Sequence, residues 1–125
     1  MKVFEKHSEY GNPILEKSFH FGVRIVKFYL LRVKEEYQIK DILKQLLRSG
    51  TSIGANVAES QEASSKKDFL NKLTIALKEA RESEYWLKIL KETNVINEKE
   101  SHSLLNDCDE LIRLLVAIIK RCKQI

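Results

Sequence analysis

Glycine and proline are scarce: the 125 residues include four glycines and one proline. A sheet-rich fold needs many turns, so so few breakers argue against sheets and for long helices. Cysteine is nearly absent too. Cys108 and Cys122 fall on one helical pattern about four turns apart, roughly 21 Å at about 1.5 Å per residue, well beyond disulfide reach. Both lie on the apolar stripe of that helix and read as buried free thiols, consistent with a reducing compartment. Long apolar runs are missing. No window approaches the roughly 18 uninterrupted apolar residues of a membrane span, and the first 13 residues are polar, without the apolar region of a secretory leader. The expected setting is the cytoplasm, with no membrane partner.

The motifs of catalysis are missing as well. His7, His20 and His102 stand in no HExxH spacing. Di-iron bundles need Glu-x-x-His pairs on two helices, whereas Glu16 with His20 and Glu98 with His102 are four apart and read as solvated side chains. Gly50 and Gly54 lie within a helical pattern and lack the lysine of a phosphate-binding loop. The cysteines have no polarising partner nearby in sequence. We therefore expect no catalytic residue, no metal, no cofactor and no enzymatic activity. Signatures of sequence-specific nucleic-acid readout, such as RNP, KH, zinc-finger or helix-turn-helix patterns, are also lacking.

What is present is helix. The composition is 43% apolar and 32% charged, with a net charge of +4, and the length suits one domain with a single core. An arm over about residues 1–12 precedes a bundle over 13–125. Asn12–Pro13 is a helix start, a capping side chain followed by proline at the first helical position. The first helix should run over about 13–36, with Leu15, Phe19, Gly22, Ile25, Val26, Tyr29, Leu30 and Val33 as a broad apolar face that Phe21 and Phe28 widen. The second should run over about 39–62 with a weak start signal. Ser65 with Asp68 opens a third over about 65–92, and Asn97 with Glu100 a fourth over about 97–123. Thr93–Asn94 ends the third, asparagine being suited to a left-handed cap. Four such helices with short links make an all-α, antiparallel up-down-up-down four-helix bundle.

The stretch Arg48–Gln61, RSGTSIGANVAESQ, stands out. Leu43, Leu46, Leu47, Gly50, Ile53, Gly54, Val57 and Gln61 make its core stripe, while Gln45, Arg48, Ser52, Asn56 and Glu59 occupy the back. From Ser49 to Ala58 no residue is charged. Such a back suggests a helix covered on both sides, once by its own bundle and once by a neighbouring subunit. Two glycines in a helix interior cost about 1 kcal/mol each against alanine; close approach of another backbone or a bend near Gly50 would account for them. On the third helix Ile75, Trp86 and Ile89 lie off the main stripe, either as part of a second buried surface or, for Trp86, as a core-edge residue. The expected subunit contacts are Arg48, Ser52, Asn56, Glu59, Ile75, Trp86 and Ile89. Ser83 and Glu84 interrupt the core stripe of the third helix and bring polar groups to the interior or its rim. Arg24, Lys27 and Lys34 on the first helix, and Lys66, Lys67 and Lys72 early in the third, are candidates for phosphate contacts, or else ordinary solvated cations.

From Arg48 to Leu90 the sequence closely resembles the four-helix-bundle proteins encoded in intervening sequences of 23S ribosomal RNA genes. The signature is Ser52, Ile53, Ala55, Asn56 and Glu59, continued by Asp68–Phe69, Leu73, Ile75–Ala76 and the segment 82–87; KSFHFGVRIVKFY in the first helix also fits. The likeness covers about 16–115. One departure is Ser60, where the family often has glycine. The family also resembles the accessory variability protein of diversity-generating retroelements, which partners a reverse transcriptase. The resemblance implies a homopentameric barrel of bundles and a role near RNA, and it brings no catalytic residues. Five copies would carry roughly +20, five times the +4 of one chain, enough to attract polyanions. The leading expectation is thus a non-enzymatic, homo-oligomeric module associated with RNA or another nucleic acid. The alternative is a scaffold or accessory subunit for a protein partner.

Overall fold

A computed structural model describes residues 12–124; the expected arm lies outside the described residues except for Asn12, as does His7. Four helices follow one another: α1 (Pro13–Arg32), α2 (Lys40–Ser60), α3 (Lys66–Glu92) and α4 (Glu98–Lys123). Among the described residues there is no strand. Each helix packs mainly on its neighbours in the chain, so α2 lies between α1 and α3, and α3 between α2 and α4. The fold is an all-α four-helix bundle.

The helix ends are written in polar side chains. Asn12 Oδ1 accepts from the Leu15 amide at 3.3 Å, with Pro13 at the first helical position. Its amide group also donates to Gln61 Oε1 at 2.9 Å, tying the start of α1 to the end of α2. Ser65 Oγ accepts from the Asp68 amide at 3.0 Å and Asn97 Oδ1 from the Glu100 amide at 2.8 Å. Asn94 adopts φ 62°, and the Val95 and Asn94 amides return to the carbonyls of Leu90 and Lys91. That is a Schellman ending, with asparagine in the left-handed position that glycine usually takes. The start of α2 has no side-chain cap; a single turn of 3₁₀ helix at Tyr37–Ile39 leads into it instead. The first helix stops at Arg32, short of the expected 36; a turn over 33–36 follows, and Glu36 leaves helical geometry (φ −111°, ψ 41°) at its end. We expect Asn12→Ala to cost about 1–2 kcal/mol, the value of a cap plus one side-chain bond, read as a lowered urea midpoint.

The core runs the length of the bundle. Ile14, Ser18, Phe21, Ile25 and Phe28 of α1 are buried, meeting Leu43, Leu46, Ile53 and Val57 of α2. From the other side come Phe69, Leu73, Leu87 and Leu90 of α3 and Leu104, Leu111 and Leu115 of α4. This corrects the reading of α1. Phe21 and Phe28 form the buried row, while Phe19, Val26 and Leu30, expected inside, are exposed. The helix carries two apolar rows at similar spacing, and only one can face its own bundle.

Polar groups do enter the interior, and they are satisfied. Ser49 and Ser83 are fully buried and share a hydrogen bond of 2.8 Å between α2 and α3. The Cys108 thiol donates to the Ala80 carbonyl at 3.2 Å. Burial pushes the Cys108 pKa up to about 12, so this sulfur is a packing group held as the thiol. Cys122 is buried as well, and neither cysteine is in a disulfide.

The two glycines of α2 meet α1 within the same chain. α2 is continuous through both. A Cβ on Gly54 would stand 3.1 Å from the Ser18 carbonyl oxygen, and one on Gly50 would stand 2.9 Å from the Ile25 side chain. Opposite them, a Cβ on Gly22 would stand 3.8 Å from Thr51 Cα, an ordinary contact. Close backbone approach, not a break in the helix, is what the missing side chains allow.

Candidate interaction surfaces

The seam between α1 and α4 is the least packed of the bundle and is bridged by charge. Lys17 pairs with Glu110 at 3.1 Å, Arg24 with Asp107 at 2.6 Å, and Arg32 with Glu100. Arg32 also lies over the Phe28 ring, 5.0 Å from its centroid. The exposed pairs of Lys17 and Arg24 are each worth about 0–1 kcal/mol; Arg32–Glu100 is half-buried. Arg24, a candidate for phosphate contact, is thus engaged within its own chain.

A second polar network joins α2 to α3. Arg48 reaches Glu79 at 3.1 Å and Glu82 at 2.5 Å. Glu82 also accepts from the Trp86 indole N–H at 3.0 Å. That N–H, and then the guanidinium, hold the Glu82 carboxyl below its ordinary value, and the two carboxylates raise the Arg48 pKa. A carboxylate with a lowered pKa contributes stability that is fully present above its ordinary value, 4.5, and is lost as the pH falls through its folded value. We expect Glu82→Gln to be less stable than the wild type by a constant margin between about pH 6 and 8, and the margin to shrink as the pH drops below the carboxylate range. Urea midpoints across that range measure it.

The other expected interface residues cluster around this network. Ser52 and Asn56 are half-buried and bond to their own helix, Ser52 Oγ to the Arg48 carbonyl at 2.6 Å and Asn56 Nδ2 to the Ser52 carbonyl at 2.8 Å. Glu59 pairs with Lys72 at 2.8 Å, and this contact raises the Lys72 pKa. Trp86 and Ile89 are half-buried, Ile75 is exposed, and the exposed Tyr85 ring meets Trp86 edge-on with centroids 5.1 Å apart.

An apolar groove lies on the other flank of α2. Phe19, Val23 and Val26 of α1 line an open groove with Thr51, Gly54 and Ala55 of α2, its volume about 440 Å³. Leu30 continues the row and is 64% exposed; Phe19 is 65% exposed. The floor is backbone, because Gly54 lets the helices approach so closely. From the sequence, Phe19, Val26 and Leu30 are expected on the core face and Val23 is not placed, so the groove is not foreseen. Its signal was there in the spacing: Phe19, Val23, Val26 and Leu30 stand at four-three-four intervals, the spacing of a seam between helices.

The basic candidates divide three ways. Arg24 and Lys72 are in ion pairs. Lys27 is exposed on α1 at the edge of the apolar groove, and Lys34 is exposed in the turn that follows α1. Lys66 and Lys67 line an open depression between the start of α3 and the end of α4, together with Leu70, Asn71, Thr74 and Lys123. Lys123, distant in sequence, is brought there by the fold alone.

Among the described residues, no group of three His, Cys, Asp or Glu is placed to hold a metal ion. No described helix is long and apolar enough to cross a membrane. Fold and surfaces together define a class: a helical bundle whose distinctive features are faces rather than a cleft. The chain belongs to the family of the 23S rRNA-intervening sequence protein, whose model matches residues 12–117. It is also similar to a protein of unknown function of the S23 ribosomal protein family from Bacteroides thetaiotaomicron. The crystal structure of that protein superposes with a TM-score of 0.82, at 50% sequence identity over 86% of this chain and 98% of the other. A comparison with curated proteins gives no match.

Proposed function

We propose that this protein is a non-enzymatic, self-assembling bundle that associates with nucleic acid through basic surface brought together by assembly. The observation that carries the reading is the apolar groove between α1 and α2. It runs on from the exposed row of α1 to the uncharged back of α2. A second copy of the chain is the occupant we assign to it. A lone bundle in water gains nothing from an aligned row of phenylalanine, valine and leucine on its outside, and contiguous apolar surface of this kind marks an interaction site. The interface extends from that groove over Ser52 and Asn56 toward Ile75 and Trp86. The homopentamer implied by the family resemblance is the assembly we expect, with the net charge of +4 per chain summed over its copies.

Size-exclusion chromatography with light scattering tests this. The expected mass is a multiple of the 14.6 kDa chain, five copies in the leading case. A clean monomer at tens of micromolar overturns the reading. A second reading, a scaffold or accessory subunit for another protein, draws on the exposed Ile75 and Tyr85 beside Trp86. RNA retention on a filter as salt is raised separates the two: nucleic-acid association falls steeply with salt, and a protein scaffold retains no RNA.

A further inference from the structure

We infer that the depression lined by Lys66, Lys67, Asn71, Thr74 and Lys123 is where this protein holds the phosphodiester backbone of a nucleic acid. The inference rests on the nucleic-acid reading above and assigns it a place. Three lysines line it from two helices, and no carboxylate lines the depression. Among the described residues, none of the three lysines is in an ion pair, whereas Lys17, Arg24, Arg32, Arg48 and Lys72 all are. In a chain with 18 acidic residues, a concave site with three cations and no acid is one where an external anion supplies the missing charge. Lys120 precedes Lys123 by three positions and so stands on the same side of α4, extending the positive strip beyond the depression.

The remaining lining fits the same ligand. Asn71 and Thr74 stand one turn apart on α3 and offer an amide and a hydroxyl, the neutral donors that accompany lysine at phosphate and sugar oxygens. Leu70 gives a small apolar wall. The volume, about 530 Å³, accommodates a backbone unit without a base-reading pocket, which accords with binding that is salt-sensitive and indifferent to sequence. A protein partner would call for aromatic or aliphatic anchors at the centre of the site, and the depression has none beyond Leu70.

The test is filter binding of a labelled RNA hairpin to the full chain, titrated with salt, with light scattering on every sample. The wild type is expected to bind at 50 mM salt. Lys66→Gln/Lys67→Gln/Lys123→Gln is expected to lose about tenfold or more in affinity, and its log–log salt slope to fall by about two, at roughly 0.7–0.9 per phosphate contact. Lys34→Gln/Lys99→Gln, which removes two exposed lysines that line neither the depression nor the apolar groove, is expected to bind nearly as the wild type does, and both variants are expected to keep the wild-type mass. A triple variant that binds like the wild type, or a control that loses as much, overturns the assignment and leaves the broader reading standing. A wild type that retains no RNA at 50 mM salt overturns both. Displacement of the hairpin by polyglutamate as readily as by unlabelled RNA would overturn it in favour of an acidic polypeptide.

Discussion

Phe19→Glu/Val26→Glu is expected to run as a monomer where the wild-type protein runs as an oligomer, with an unchanged helical circular dichroism spectrum. The physical asymmetry is large. In the single chain both side chains point outward, Phe19 at 65% and Val26 at 38% exposure, so a carboxylate there meets water and the fold is indifferent to it. In an assembled interface the same two positions are central. Burying a phenylalanine or valine side chain gains about 1.5–3 kcal/mol. Replacing it with an unpaired carboxylate forfeits that gain and adds a desolvation cost of several kcal/mol. Two such changes per interface, repeated in every copy, lower the association constant by many powers of ten, since each 1.4 kcal/mol is about tenfold. Leu31→Glu is the control. Leu31 is 70% exposed but does not line the groove, so its variant should keep the wild-type mass. An oligomer that survives Phe19→Glu/Val26→Glu would place the subunit contact elsewhere. Asn56→Arg, on the other flank of α2, then becomes the informative substitution: loss of the oligomer there would locate the contact on the α2–α3 face.

Why that groove escaped the sequence reading is a matter of register. In α1 the rows Ile14–Ser18–Phe21–Ile25–Phe28 and Phe19–Val23–Val26–Leu30 have nearly the same spacing, and helical periodicity cannot say which of two apolar rows faces inward. The decision belongs to α2. Its small residues at Gly50 and Gly54 receive Ile25 and Ser18, and this contact turns the first row in and the second out. The end signals were local and therefore legible: an asparagine or serine followed three positions on by the amide it caps, and an asparagine where the chain must take a positive φ. Ser83 was legible as a polar intrusion into a core stripe. Its partner Ser49 was not, since nothing in the order of residues says that two serines on different helices will come within 2.8 Å. Lys123 joined Lys66 and Lys67 in the same manner, through the packing of α4 on α3. Arg24 and Lys72 looked like free cations because their partners, Asp107 and Glu59, belong to other helices.

Gly54→Val is expected to destabilise the bundle by about 3 kcal/mol, the upper part of the range for forcing added volume into a packed site. For a domain of this size the melting temperature should fall by roughly 10 °C. The three glycines of the α1–α2 contact make a graded series, because the obstacle differs at each. At Gly22 a Cβ would meet only Thr51 Cα and the Gly50 carbonyl oxygen at 3.8 and 3.9 Å, ordinary contact distances. Alanine is better in a helix than glycine by about 1 kcal/mol, so Gly22→Ala should be neutral or slightly stabilising. At Gly50 the obstacle is the buried, β-branched Ile25 side chain at 2.9 Å. It has few alternative rotamers, and Gly50→Ala should lose more than propensity returns. At Gly54 the obstacle is backbone, the Ser18 carbonyl at 3.1 Å for the Cβ alone. Valine adds two methyl groups that α1 can accommodate only by moving away, which also opens the floor of the apolar groove. Assembly raises apparent stability by mass action, so the series should be measured in the Phe19→Glu/Val26→Glu background, where the single chain unfolds alone. The expected order there is Gly22→Ala at or above the parent, then Gly50→Ala, then Gly54→Val. A Gly54→Val protein as stable as its parent would mean that α1 does not rest on the α2 backbone. The groove, the outward row of α1 and the subunit contact assigned to them would lose their common basis.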